Sequence, residues 1–112
     1  MSLIKIMAVD VAAARAAWRG VRAMGRTDFC IALFNAGKLT EAEAIAASAG
    51  AIPAPLEDAI SMLPAAAQAE ARIRWAGLAE VQRNHPLVAL VAWVPSVNMT
   101  DTEVDTIFGW PD

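Results

Sequence analysis

Leu87-Val-Ala-Leu-Val-Ala-Trp-Val94 is the longest unbroken apolar run in a chain whose residues are 57% apolar. Eight residues are less than half of the roughly 20 that a membrane-spanning helix needs. The apolar residues are therefore distributed over several short helices that bury them against one another or against a partner. Alanine supplies 26 of them, so the percentage overstates core bulk. The bulky members that decide packing include Trp18, Trp75, Trp93 and Trp110 with Phe29, Phe34 and Phe108. A chain of 112 residues is the size of one domain with one core. The expectation is an all-α fold: residues 1–112 as a single compact orthogonal bundle of about six or seven short helices. Residues 1–6 read as an expression remnant or a disordered lead, because Met7 is a second plausible start.

Working outward from that run, Asn84-His85-Pro86 precedes it and Pro95 stops it. Upstream, Pro64 suits the first turn of the longest helix, spanning 65–83. Ala71, Trp75, Leu78 and Ala79 form one apolar face of it, and Ala69, Ile73 and Ala76 a second, which predicts a central helix packed on both sides. A two-turn helix covers 56–63. Thr40 with Glu43, and Thr100 with Glu103, spell two capping boxes. The first opens a short helix ending at Gly50, and the second opens the last helix. Phe29, Ala32, Leu33 and Ala36 keep helical spacing before Gly37, with Thr27 as cap. A strand over 29–34 is set aside because no second strand-like segment exists for it to pair with. The first helix reads as 10–24, with Asp10 as N-cap and Gly25 as stop.

Reactive chemistry is sparse. Cys30 is the one cysteine and His85 the one histidine. Cys30 lies within an apolar run, where a thiol is structural and unreactive, and His85 sits at a helix break. One His and one Cys cannot supply the three or four ligands of a metal site, and no nucleotide motif is present. The acidic residues Asp101, Glu103 and Asp105 complement the positive end of the last helix. The reading is no catalytic residue, no cofactor and no metal.

Charge is uneven. Residues 1–26 carry five basic groups against Asp10 alone, and residues 27–112 carry four basic against eleven acidic, for a net charge of −3. Arg15, Arg19, Arg22 and Arg26 recur at i, i+4, i+7 and i+11 and form one helical stripe, with Trp18 at its edge where a guanidinium can stack on it. Ala13, Ala17, Gly20 and Met24 make the opposite side small and flat. Two uses of the stripe are open: attraction to the acidic remainder within the fold or across a dimer, or docking on nucleic acid or an acidic partner. No base-reading Asn or Gln accompanies the stripe, so nucleic acid is the weaker expectation. Candidate partner-contact residues are Arg15, Trp18, Arg19, Arg22, Trp93 and Trp110, the last two being aromatics beside prolines near element ends.

Three stretches together carry a resemblance: Arg26-Thr-Asp-Phe29 running to Ala36-Gly-Lys-Leu39, Trp75 followed by Arg83-Asn-His-Pro-Leu87, and Thr100-Asp-Thr-Glu-Val-Asp-Thr-Ile-Phe108. Their order and spacing over about 26–108 resemble small proteins of tailed bacteriophages and prophages encoded in the tail-fibre and tail-assembly region. The resemblance implies no catalytic residues. It implies a non-enzymatic accessory or structural protein acting through protein–protein contacts, in the bacterial cytoplasm or on the virion. Its partner would be a tail component or a second copy of itself, and a homo-oligomer is expected because so apolar a small domain leaves patches to cover. No membrane contact is expected. The alternative is a small helical nucleic-acid-binding or regulatory protein using the basic first helix, and a hydrolase with an unusual site stands third.

Overall fold

The structure, a computed structural model, describes residues 3–111, with side chains described over 11–111. It is mainly helical. Among the described residues there are seven α-helices: α1 (Leu3–Val21), α2 (Arg26–Asn35), α3 (Glu41–Ser48), α4 (Ala54–Ser61), α5 (Ala65–Gly77), α6 (Pro86–Trp93) and α7 (Asp101–Ile107). Strands β1 (Ala23–Gly25) and β2 (Glu80–Gln82) pair antiparallel, with Met24 opposite Val81. This ribbon corrects the expectation of a purely α fold. No helix is long and apolar enough to cross a membrane among the described residues.

Local signals set most helix ends. Thr40 and Thr100 each accept from the backbone N–H three residues on, while Glu43 and Glu103 reach back to the cap N–H, completing both capping boxes. Gly37 and Gly50 take positive φ after α2 and α3, a conformation that L side chains resist. Pro86 starts α6, where its missing N–H costs no hydrogen bond. Three expectations are corrected. α1 begins at Leu3, so Asp10 lies mid-helix rather than at a cap; residues 1–2 lie outside the described residues. α2 begins at Arg26 after Gly25, and Thr27 falls inside it. α5 ends at Gly77, and the segment to Arg83 becomes a turn and β2. Only its Ala71–Trp75 face is buried, while Ala69, Ile73 and Ala76 face solvent.

The core gathers Phe29, Leu33, Leu56, Ile60, Trp75, Val91, Val97 and Phe108 from α2, α4, α5, α6, the loop before α7 and the C-cap of α7. Phe29 is its centre, with its ring 6.5 Å from Trp75 and 5.6 Å from Phe108. Trp75 also donates its indole N–H to the Ala51 carbonyl at 2.9 Å, satisfying its polar edge. The void among Cys30, Leu39, Leu56 and Val97 is about 20 Å³, room for little more than one water. The radius of gyration is 15.5 Å, against about 13 Å for a compact chain of this length. Among the described apolar residues of α1, only Trp18 packs on the core, so residues 11–21 of that helix lie on the body rather than within it.

Candidate functional site

The ribbon brings distant charges together. Arg83 N–H donates to the Arg22 carbonyl at 2.8 Å, directly after β2, and Arg26 N–H donates to the Ala79 carbonyl at 3.0 Å. These bonds hold the end of α1 beside Arg83 and close to α7. Asp105, fully buried on α7, accepts from three guanidinium groups. Arg15 Nε lies 2.6 Å from Oδ2, Arg19 Nε 2.9 Å from Oδ1, and Arg83 Nε 2.6 Å from Oδ1. Arg19 Nη2 adds a second bond to Oδ2 at 2.5 Å. Burial opposes the carboxylate, but the hydrogen bonds from Arg19, Arg15 and Arg83 outweigh it and hold the Asp105 carboxyl well below the usual range. Arg83, itself buried, also donates to the Asp101 carbonyl at 3.3 Å.

The rest of the arginine stripe caps helix C-termini. Arg22 Nε donates to the Phe108 carbonyl at 2.6 Å. Its guanidinium lies 3.2 Å from where a Cβ on Gly109 would be, and Gly109 has φ +101°. Arg26 donates to the carbonyls of Trp75 and Ala76 at 2.8 and 3.0 Å and to that of Ser48 at 3.1 Å, lying 5.9 Å over the Trp75 ring. A cation at exposed helix carbonyls complements the helix dipole. The aromatic partner of Arg15 is Trp110, 5.4 Å from its guanidinium carbon, and Trp18 meets Trp110 edge-on at 5.1 Å. Of the six candidate contact residues, Arg15, Trp18, Arg19, Arg22 and Trp110 thus converge on one seam between α1 and the α7 end of the chain.

Trp93 stands apart, 74% exposed at the end of α6. Other exposed apolar groups collect between α2 and α3. There Ile31, Phe34, Ala44 and Ile45, with Thr27, Cys30, Glu41 and Ser48, line a groove of about 250 Å³. Ile45 is 63% exposed. Sequence reasoning missed this groove, although Thr27, Ile31 and Phe34 at i, i+4 and i+7 were the available signal. A second groove of about 230 Å³ lies between α5 and α6, lined by Leu63, Glu70, Arg74, His85 and Leu90.

Cys30 is buried, and burial pushes its thiol pKa up, with the Arg26 charge acting the other way. His85 caps α6, its Nδ1 accepting the Leu87 N–H at 3.1 Å. Burial and then the Arg74 charge lower its pKa, so the ring favours the neutral form that this bond requires. No group of three or more His, Cys, Asp or Glu is placed to hold a metal ion among the described residues. No protein-family model, no curated protein and no solved structure matches the chain.

Proposed function

We propose that the protein is a non-enzymatic phage or prophage accessory or structural protein that acts through protein–protein contacts, with tail assembly as its setting and the host cytoplasm or the virion as its location. The supporting observation is an inversion of surface character. The stripe arginines are turned onto acceptors inside the molecule, while Ile31, Phe34, Ile45, Trp93 and Val21 are exposed. Exposed aromatic and branched apolar side chains suit a binding surface. The orthogonal helical bundle is then a scaffold presenting that surface, and its partner is a tail component or a second copy. The resemblance over 26–108 supports the phage setting. The nucleic-acid alternative has less support, because a phosphate would have to displace Asp105 and the helix carbonyls from the same guanidinium groups.

Photo-crosslinking in phage-producing cells tests this reading. A crosslinking amino acid at Phe34, Ile45 or Trp93 is expected to trap a virion tail protein, and the same probe at exposed Arg74 is not. Labelling at none of the three sites, or trapping of nucleic acid through the α1 arginines, would contradict the proposal.

A further inference from the structure

The described cations of this chain act within it. Arg15, Arg19 and Arg83 bond Asp105, while Arg22 and Arg26 bond helix carbonyls. Arg72 pairs with Glu57 and Arg74 with Glu70. The Lys38 charge acts on Glu103 of α7. The carboxylates are not matched in the same way. Residues 27–112 hold four basic groups against eleven acidic. No ion pair reaches Asp28, Glu41 or Asp58 among the described residues.

Glu41 matters because of where it stands. It lines the α2–α3 groove, in which Ile31, Phe34 and Ile45 are exposed. Among the described residues that line this groove, Glu41 is the one charged side chain. Asp28, in the first turn of α2, adds a second carboxylate to the same helix pair. The groove is therefore apolar and negatively charged, with no cation of its own among its described lining residues. Its complement brings apolar side chains to the seam and positive charge to Glu41.

The shape selects the form of that complement. α2 and α3 pack side by side, joined by the short turn 36–40. Thr27, Ile31 and Phe34 line the groove from α2 at i, i+4 and i+7, and Ala44 and Ile45 line it from α3. A seam between two helices accepts a third, whose apolar residues at i, i+3, i+4 and i+7 fill it.

We propose that the α2–α3 groove binds an amphipathic helix of another protein, with lysine or arginine flanking its apolar stripe. This rests on the protein-contact reading above and names the chemistry of the partner. A second copy does not supply that helix, because its described cations act within its own fold.

Fluorescence anisotropy with the full chain tests it. The probe is a labelled peptide of about 14 residues, with leucine at i, i+3, i+4 and i+7 and lysine elsewhere. Its counterpart carries glutamate in place of lysine. The leucine–lysine peptide is expected to bind with a Kd on the order of ten micromolar, and the leucine–glutamate peptide at least about tenfold more weakly. Ile45→Ser is expected to weaken the first peptide at least about tenfold. Glu41→Lys is expected to weaken it about threefold to tenfold at low salt, and less at high salt. Asp58→Lys makes the same change in net charge on α4 and is expected to leave binding within about twofold. All three variants are expected to keep the wild-type circular dichroism spectrum. Equal binding of the two peptides, equal losses from Glu41→Lys and Asp58→Lys, or indifference to Ile45→Ser overturns the proposal. So does a wild-type dimer in sedimentation equilibrium that Ile45→Ser dissociates. A tail protein crosslinked at Phe34 by a chain that binds neither peptide would leave the protein-contact reading standing while the cationic helix fails.

Discussion

Arg83 donates through Nε to Oδ1 of Asp105 at 2.6 Å, and both side chains are buried. The two lie on β2's edge and on α7, and Arg15 and Arg19 of α1 close over the same carboxylate. Asp105 therefore joins three elements through charge. Removing its charge leaves three guanidinium groups around a neutral acceptor. Asp105→Asn is expected to lower stability by about 3–5 kcal/mol, as does breaking other buried ion pairs, a large share of the ~5–15 kcal/mol of a typical domain. Urea unfolding monitored by circular dichroism checks this, and a loss below about 1 kcal/mol would contradict it.

The same carboxylate sets an acid limit. Its pKa in the folded protein is held below its ordinary value of 3.8, so its contribution is present above the unfolded value and is lost as pH falls through the folded value. The stability gap between wild type and Asp105→Asn is expected to be constant from about pH 7 to 5 and to narrow below about pH 4. Parallel urea titrations at pH 7 and pH 3 measure it; an equal gap at both would show that the ion cluster does not stabilise the fold.

His85 gives a separate transition nearer neutrality. Its folded pKa lies below 6.5, so the cap it supplies to α6 is present above that value and is lost as pH falls through the lower folded one. His85→Asn keeps a capping acceptor without titrating and is expected to remove this step. His85→Ala is expected to cost about 0.5–2 kcal/mol at pH 7.5. Thermal unfolding between pH 5 and 7.5 distinguishes the variants.

Cys30 is expected to react slowly with a thiol reagent in the native protein and stoichiometrically in urea, because it is buried and its thiol is disfavoured as thiolate. Rapid native labelling would show that the α2–α3 groove, which Cys30 lines, opens to the thiol.

Features set by neighbouring residues were legible in the sequence. Both capping boxes, the stops at Gly37 and Gly50, and the α6 run need only a few adjacent positions to specify them. The arginine stripe was legible as a stripe, and its attraction to the acidic remainder was one of two open readings. Its acceptors were not legible, since Asp105 lies 90 residues from Arg15; the sequence groups Asp105 with Asp101 and Glu103 at the positive end of the last helix, whereas it lies beyond the first turn of α7 and serves the arginines instead. The ribbon escaped for a similar reason. Ala23-Met-Gly25 and Glu80-Val-Gln82 are too short to show alternation, and only the chain's return brings them together. Asp10 misled because an aspartate inside an alanine-rich helix resembles one at its cap. The groove at Ile31, Phe34 and Ile45 is not legible because the helical spacing of Phe29, Ala32, Leu33 and Ala36 marks the other face of α2, and only the docking of α3 brings Ile45 beside Ile31 and Phe34.

The central claim is that Arg15 and Arg19 turn inward and hold the described part of α1 on the body through Asp105. Amide hydrogen exchange of residues 13–21, followed by mass spectrometry in the wild type and in Asp105→Asn, tests it most directly. Protection over 13–21 is expected in the wild type at low micromolar concentration and is expected to fall in Asp105→Asn. Exchange over 13–21 as fast as in an unstructured peptide in the wild type, or equal protection in both proteins, would contradict it.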